Sequence, residues 1–219
     1  MKYQLRDYQK KASDAAVMCF KMKSGRNGLL VLPTGAGKSL IIADIAARLE
    51  EPLIVFQPNK EILEQNFAKL QTYGIWDCSI YSASVGRKEI SRITFATIGS
   101  VIRHMKDFQH FKNILIDECH LVKPSDGMYK RFFEQAERRI VGLTATPYRL
   151  YSCMNGSMLK FLTRTRPRVF SQVLYYCQVS ELLAKGFLSR LKYYDVTRID
   201  LTKVRRNSSG ADFDDASLS

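Results

Sequence analysis

The segment PTGAGKS, Pro33–Ser39, has the residue types needed to hold the phosphates of a nucleotide. It follows an apolar run and precedes a stretch with helical periodicity, so backbone N–H groups and a helix start can converge on one anion. Its two glycines let the backbone bend closely, Lys38 offers a charge to the β- and γ-phosphates, and Ser39 offers a hydroxyl ligand to Mg²⁺. The strict pattern G-x-x-x-x-G-K-[ST] fails at its first position, which is Leu32. An ordinary glycine-rich turn with a solvated lysine therefore stays open.

An acidic pair, Asp117 and Glu118, follows the apolar run in the segment NILIDECHLV. The carboxyl ends of the strands in a parallel α/β sheet form the ligand crevice, so we expect this pair to meet the glycine-rich loop. Asp117 suits contact with Mg²⁺ through a water, and Glu118 suits the orientation of an attacking water. A solvated acidic turn is the alternative for the pair. Together, the two segments predict a site that binds and hydrolyses a nucleoside triphosphate.

Four motifs occur in order along the chain: LRDYQ, LPTGAGKS, DECH and LTATP. In this order and at these spacings they resemble the superfamily 2 helicases and translocases, a DEAD/DEAH-like group, in a DECH-box form. LRDYQ, LPTGAGKS, IDECH and LTATPYRL are most similar to the RadD-like and restriction-type branches. In that superfamily the position of Leu32 is commonly not glycine. The resemblance covers roughly residues 3 to 196. It implies an N-terminal RecA-like lobe, an α/β P-loop NTPase domain with a mainly parallel sheet and helices on both faces.

The resemblance also implies which residues bind ATP and Mg²⁺. Glu118, Asp117 and Lys38 are the implied catalytic residues. Ser39 and Asp117 are the implied metal ligands, Asp117 through a water. Gln9 is the implied adenine contact, and Arg6 is a second candidate. The full set of implied nucleotide contacts is Arg6, Gln9, Pro33, Thr34, Gly35, Ala36, Gly37, Lys38, Ser39 and Leu40.

Coupling residues and nucleic-acid contacts are implied in the same way. The residues that link the nucleotide site to nucleic acid and to motion between lobes are His120, Thr144 and Thr146. FQPNKEILEQN and FATIGSV lie where the family contacts a nucleic-acid strand, and they offer donors for phosphate near strand ends or helix starts. These donors are Asn59, Lys60, Thr97 and Ser100. Helix caps and a solvated lysine are the alternative for the donors, and a packing histidine and a polar turn are the alternative for the coupling residues.

A stretch without Asp or Glu runs from Tyr148 to Ser180. Aromatic residues are interleaved there with basic ones, which include Arg164, Arg166 and Arg168. Such a segment can form a groove on which single strands or junctions stack. A mobile loop, or aromatic side chains packed beneath the sheet, is an equal alternative.

The composition favours a polyanionic partner. The 219 residues include 34 Lys and Arg against 21 Asp and Glu, a formal net charge of +13. This surplus is typical of proteins that bind nucleic acid, although a merely soluble basic surface is the alternative. The five cysteines form no C-x-x-C pair, which indicates reduced thiols. No run resembles a secretory signal or a membrane span, so we expect no membrane partner and a cytoplasmic location. The resemblance to the RadD-like and restriction-type branches favours a bacterial or mobile-element origin.

Short apolar runs alternate with helical patterns, which predicts βαβ units around a parallel sheet. The predicted strands are 28–32, 53–56, 78–82, 92–97, 114–117 and 140–143, with LKYYDV at 191–196 as a last strand. The predicted helices are 8–22, 38–49, 60–73 and 129–137, with less regular patterns at 98–105 and 181–185. Asn59 is the predicted N-cap of the third helix.

One RecA-like lobe accounts for residues 1–196, and residues 197–219 have the composition of a linker or tail. Complete enzymes of this family hydrolyse ATP between two such lobes, and the second lobe supplies an arginine finger worth roughly 10³ to 10⁵ in rate. We find no second set of motifs, so we expect this chain to bind ATP, hydrolyse it weakly and not unwind nucleic acid alone.

The predicted function is the ATP-binding lobe of an ATP-dependent helicase or translocase. DNA is favoured over RNA because the branches with the most similar motifs act on DNA. The alternative is a non-catalytic nucleic-acid-binding module that uses the nucleotide site as a switch. A small-molecule kinase explains neither TATP nor the basic surplus.

Overall fold

The computed structural model describes residues 4–22, 26–153 and 156–190. The chain divides into two compact units, Met1–Leu188 and Ser189–Ser219, and the helices and strands given below lie in the first. The strand predicted at 191–196 and the predicted tail lie outside the described residues, and the domain boundary after residue 196 stays a prediction. Across the described ranges, no helix combines the length and the apolar character needed to cross a membrane.

Helices and strands alternate along the first unit. The helices are α1 Asp7–Lys21, α2 Lys38–Arg48, α3 Lys60–Thr72, α4 Ile98–Val101, α5 Met128–Phe133 and α6 Val179–Ala184. The strands are β1 Gly28–Val31, β2 Leu53–Phe56, β3 Cys78–Ser82, β4 Arg87–Lys88, β5 Ile93–Ala96, β6 Asn113–Ile116, β7 Arg139–Thr144, β8 Tyr148–Cys153, β9 Gly156–Phe161 and β10 Gln172–Tyr176. Short 3-10 helices cover Ile102–Phe108, Cys119–Leu121 and Leu162–Arg164.

Eight strands form one mostly parallel sheet in the order β10-β1-β7-β6-β2-β5-β3-β4, in which β4 runs antiparallel to β3. β8 and β9 form a separate antiparallel hairpin. β1 pairs with β7 so that Val31 lies opposite Thr144, and β6 pairs with β7 so that Ile116 lies opposite Gly142. The loops that follow β1, β6 and β7 therefore lie side by side at the carboxyl edge of the sheet.

Strand side chains alternate between two apolar cores, one on each face of the sheet. On one face Leu30 and Val55 pack with side chains of α1, α2 and α3. On the other face Leu29 and Ile54 pack with side chains of α4 and α5. Leu32, at the position of the missing glycine, is fully buried in the first core. Helices therefore cover both faces, which confirms the predicted α/β class.

The six predicted strands up to residue 144 are all present, with their ends within one residue of the prediction. The first three predicted helices are confirmed equally closely, and Asn59 caps α3 because its Oδ1 accepts the N–H of Ile62 at 2.9 Å. The helix predicted to end at residue 137 ends at Phe133. The pattern at 98–105 forms α4 and then a 3-10 segment, in which His104 has non-helical backbone angles.

The stretch without acidic residues contains three strands that were not predicted, β8, β9 and β10. Phe170 is buried in the second core, and Phe161 is half-buried against it. Leu162, which directly follows Phe161 in the sequence, is also buried in this core. For Phe161 and Phe170, the structure therefore shows the alternative in which the aromatic side chains pack beneath the sheet.

Candidate nucleotide site and nucleic-acid surface

The glycine-rich loop links β1 to α2 and has a backbone that only glycine adopts readily. Gly35 has a φ of 81° and Gly37 a φ of 76°, in the left-handed region. A Cβ at Gly37 would lie 2.5 Å from Gln9 Nε2, so a larger residue would displace the Gln9 amide. Leu40 and Ile41 donate their N–H groups to Gly37 O at 3.0 and 3.4 Å, which starts α2. The earlier N–H groups of this helix have no partner within it and can bind an anion.

Side chains of helix α1 hydrogen-bond to the backbone of the glycine-rich loop. Tyr8 donates its hydroxyl to Ala36 O at 2.9 Å, and Gln9 donates Nε2 to the same oxygen at 3.0 Å. Gln9 Oε1 accepts the N–H of Arg6 at 2.9 Å, and the Arg6 guanidinium lies 4.2 Å from the centre of the Phe187 ring. The structure thus places Gln9 against the loop, whereas its contact with adenine stays a prediction. Sequence reasoning did not single out Tyr8 or Phe187.

Lys38 and Glu118 form an ion pair across the carboxyl edge of the sheet. The two side chains are 14% and 26% exposed, so water screens the pair only in part. Glu118 has φ 47° and ψ 48°, the left-handed conformation that costs a non-glycine residue about 1 kcal/mol or more. Its N–H donates to Asp117 Oδ1 at 3.0 Å, which fixes the turn. The glycine-rich loop and the acidic strand end therefore meet as the sequence predicts.

Asp117 is a buried carboxylate next to the glycine-rich loop. Burial raises the pKa of Asp117, and the nearby charge of Lys38 lowers this pKa in part. Asn66 of α3 joins Asp117 to Ser39, because Ser39 Oγ donates to Asn66 Oδ1 at 2.5 Å and Asn66 Nδ2 donates to Asp117 Oδ2 at 3.4 Å. A buried carboxylate favours a cation, so the predicted metal ligands Ser39 and Asp117 fit Mg²⁺ in type and position.

The predicted coupling residues lie in one chain of close polar contacts that starts at Glu118. His120 Nδ1 lies 3.3 Å from Glu118 Oε2 and 3.0 Å from Thr144 Oγ1. The Thr144 hydroxyl is buried at the end of β7, accepts the N–H of Thr146 at 3.0 Å and lies 3.3 Å from Thr146 O. The structure therefore brings His120, Thr144 and Thr146 together with the acidic strand end.

The four predicted phosphate donors lie together at the carboxyl ends of β2 and β5. Ser100 is buried, and its Oγ accepts the N–H of Ala83 at 2.8 Å and lies 2.9 Å from Thr97 Oγ1. Ser100 therefore fixes the turn after β3, whereas Lys60 is exposed. A cavity of about 360 Å³ opens here. Its lining includes Asn59, Lys60, Lys88, Thr97, Ser100 and Arg103.

The three arginines predicted to contact nucleic acid, Arg164, Arg166 and Arg168, are exposed but do not lie on that cavity. Their segment begins at the carboxyl edge, where the N–H of Leu162 donates to Pro147 O at 2.8 Å. It ends near the start of β1, where Asn27 Nδ2 donates to Val169 O at 3.0 Å. Arg164, Arg166 and Arg168 therefore follow a path down one face of the sheet and away from the predicted donors.

The residues that form the glycine-rich loop, the acidic strand end and the threonine turn lie in a segment that matches a known sequence family. Residues 2–149 match the family described as the type III restriction enzyme, res subunit, abbreviated ResIII. The chain belongs to the ResIII family. Its fold and motifs are those of the N-terminal RecA-like lobe of a superfamily 2 helicase, as the sequence predicts.

Two curated relatives of this ResIII chain are similar over about two thirds of its length. The DNA 3'-5' translocase XPB2 of Sulfurisphaera tokodaii is 29% identical over 151 residues, which are 68% of this chain and 32% of the relative. The DNA 3'-5' helicase XPB of Mycobacterium tuberculosis is 29% identical over 154 residues, which are 66% of this chain and 27% of the relative. The chain thus spans about a third of the length of these relatives.

A solved structure shows the same fold as this ResIII chain. It is a nuclease-deletion mutant of the Type ISP restriction-modification enzyme LlaGI in complex with a DNA substrate mimic. The match covers 84% of this chain and 21% of that chain, with a TM-score of 0.61 and 16% identity.

Proposed function

We propose that this ResIII lobe binds Mg²⁺ and ATP at its carboxyl edge and couples ATP hydrolysis to movement on DNA, as part of a helicase or translocase. The observation that carries this proposal is the unbroken set of contacts from Lys38 through Glu118 and His120 to Thr144. This set joins a phosphate-binding lysine to the turn after β7. The descriptions of the two curated relatives as a DNA translocase and a DNA helicase support DNA as the partner.

Each residue of the nucleotide site has a proposed role. Lys38 and the N–H groups at the start of α2 would hold the β- and γ-phosphates, and Ser39 with Asp117 would hold Mg²⁺. The ion would neutralise phosphate charge when bound. Lys38 has to leave Glu118 to reach a phosphate, and this exchange frees the Glu118 carboxylate to orient a water. The Glu118 carboxylate therefore becomes available as a base only after a phosphate has drawn Lys38 away from it.

Coupling would begin at the same carboxylate. Glu118 Oε2 lies 3.3 Å from His120 Nδ1, so a change in the orientation or charge of this carboxylate acts directly on the imidazole. His120 transmits the change to Thr144, whose hydroxyl holds Thr146 at the beginning of the next segment. The proposed path therefore runs from phosphate to the turn that precedes the β8–β9 hairpin.

The 219-residue chain itself tests the nucleotide proposal. We expect Mg²⁺-dependent binding of a fluorescent ATP analogue, together with slow hydrolysis, because a second lobe would supply an arginine finger worth roughly 10³ to 10⁵ in rate. Equilibrium fluorescence titration and phosphate release measure the two quantities. Fast turnover of this chain alone, stimulated by DNA, would contradict the expected need for a second lobe. Absence of ATP binding would contradict the proposed site.

We expect the phosphates of a bound DNA strand to contact Lys60, Lys88 and Arg103. These side chains are exposed and make no ion pair with an acidic side chain of the described residues. Exchange of all three for alanine is expected to flatten the plot of log affinity against log salt concentration by about 2, since each phosphate contact on a single strand contributes about 0.7. Fluorescence anisotropy with labelled single-stranded DNA at several salt concentrations measures this slope.

The matched control exchanges Arg164, Arg166 and Arg168 for alanine, which removes the same charge. We expect a smaller change of slope, because this segment runs away from the predicted donors. A larger change in the arginine variant than in the first variant would place the strand along the acid-free stretch instead. An unchanged slope in both variants would rule out both surfaces.

A further inference from the structure

The Asn66 amide connects the predicted metal ligands to a residue outside the nucleotide site. Asn66 lies in α3 and is buried. Its Oδ1 accepts the hydroxyl of Ser39 at 2.5 Å. Its Nδ2 donates to Asp117 Oδ2 at 3.4 Å and to Gln57 Oε1 at 3.1 Å. Both N–H bonds of this amide are therefore in use, and none is left to compensate when a partner moves.

Gln57 directly follows β2 and has an unsatisfied donor. Its side chain is 1% exposed, and its Oε1 is held by Asn66. Its Nε2 is buried and has no hydrogen-bond partner among the described residues. A buried N–H group without an acceptor destabilises the folded state, so such a group in a native protein requires an explanation, and an acceptor that arrives from outside is one.

Gln57 lines a cavity that can admit such a partner. The cavity has a volume of about 490 Å³ and lies beside the proposed strand-binding cavity, with which it shares Pro58, Thr97 and Gly99. Its walls combine apolar and charged side chains. They include Leu121, Lys123, Asp126, Met128 and Tyr129. This combination suits one nucleotide unit of a strand, with apolar surface for the base and a cation for the phosphate.

We propose that Asn66 and Gln57 form a relay between the metal ligands and the bound strand, in which Gln57 Nε2 donates to an oxygen acceptor of that strand. The relay rests on the proposed function, since it requires that the chain bind both a nucleotide and DNA. It is separate from the chain of contacts through His120, because it leaves the nucleotide site through α3 and not through the DECH segment.

The relay depends on amides that each hydrogen-bond in two directions. Asn66 bonds both the metal ligands and Gln57, and Gln57 bonds Asn66 and, when it is present, the DNA strand. The bond from Asn66 to Asp117 is the longest of the three at 3.4 Å, and it is the one that changes most easily. A displacement of Ser39 or Asp117 reorients the Asn66 amide. Gln57 Oε1 follows its donor, so the direction of Gln57 Nε2 changes as well. Asn66 and Gln57 thus act as positioning residues for hydrolysis and touch neither the phosphates of ATP nor the attacking water.

The test compares DNA affinity in the presence and absence of nucleotide. Fluorescence anisotropy with a labelled 20-nucleotide single strand gives the dissociation constant of the 219-residue chain, with and without Mg²⁺ and a non-hydrolysable ATP analogue. We expect the two constants to differ about fivefold or more. In Gln57→Leu and Asn66→Leu the ratio is expected to fall below about twofold. The double variant is expected to equal the single variants, because both changes break one path.

Two further variants separate the relay from packing. Gln57→Glu keeps the acceptor for Asn66 but has no N–H to donate. The ratio of its two DNA dissociation constants is expected to fall below about twofold, as in Gln57→Leu. Asn113→Leu removes another buried amide, at the opposite end of the sheet, and is expected to keep the ratio despite a comparable loss of thermal stability. Nucleotide affinity measured without DNA is expected to change less than twofold in Gln57→Leu.

The outcomes distinguish the relay from the proposed function. Gln57→Leu and Gln57→Glu variants that fold and keep the wild-type ratio would overturn the relay. A wild-type chain that binds both ligands with no difference between the two constants would overturn it as well, while the proposed binding function would stand. A chain that binds neither ATP nor DNA would contradict the proposed function itself.

Discussion

Exchange of Glu118 for glutamine is expected to slow ATP hydrolysis about 10³-fold and at the same time to tighten ATP binding about threefold. Hydrolysis falls because glutamine cannot accept a proton from water, and a positioned base contributes about 10² to 10⁴ in rate. Binding improves because Lys38 no longer forms an ion pair with residue 118 and is free for the phosphates. A threefold gain matches the roughly 0.6 kcal/mol expected for a partly exposed pair.

Single-turnover phosphate release and equilibrium titration with a fluorescent ATP analogue measure the two effects of Glu118→Gln. The matched control is Glu134→Gln, which breaks the exposed pair with Lys130, whose Nζ lies 3.3 Å from Glu134 Oε1. The control is expected to change neither quantity. If Glu118→Gln hydrolysed ATP at the wild-type rate, Glu118 would not be the base, and the nucleotide site would act only as a switch.

Exchange of Lys38 for methionine is expected to weaken ATP binding about 100-fold. Methionine keeps the length of the side chain but removes charge-assisted hydrogen bonds to phosphate, which are worth about 1.5 to 3 kcal/mol. Glu118 also loses its partner and adds a negative charge that repels the triphosphate. The two exchanges at one ion pair therefore change ATP affinity in opposite directions, which is the signature of a lysine shared between a carboxylate and a phosphate.

Isothermal titration with ATP and Mg²⁺ measures the effect of Lys38→Met, with Lys130→Met as the matched control. The control is expected to bind ATP with wild-type affinity, because among the described residues Lys130 pairs with Glu134, at the end of α5 and outside the nucleotide site. A thermal midpoint close to that of the wild type would show that the loss of affinity does not come from unfolding. If Lys38→Met bound ATP with wild-type affinity, this result would contradict the proposed phosphate-binding role of the loop.

The sequence predicts the meeting of Lys38 with Glu118 because both follow apolar runs that read clearly as buried parallel strands. It does not reveal Asn66 or Gln57 as site residues. Asn66 is one polar position in an amphipathic helix, and its contacts depend on how α3 lies across the sheet, which no local pattern encodes. The signal that was available is weak: a polar Gln57 directly after four apolar residues, where burial of its amide calls for a partner.

The strands of the acid-free stretch escaped prediction for a different reason. Among the described strands, β10 pairs with β1 on one side only, and its side chains are half-buried or exposed, unlike the buried side chains of the central strands. β8 and β9 each contain one basic residue, Arg149 and Lys160, and Leu150 and Leu159 are exposed. Exposed apolar side chains such as these do not give the apolar-in, polar-out alternation by which a strand is recognised.

The position of β10 sets the shortest segment that can fold as this lobe. Sequence similarity to the family ends at residue 149, but β1, which leads into the glycine-rich loop, has β10 as its second neighbour, with Gly28 opposite Gln172. A protein cut at the end of the similarity would leave β1 as a bare edge strand, and its unpaired backbone groups would invite strand addition by another molecule. The recognisable motif region and the autonomous folding unit are therefore not the same length of chain.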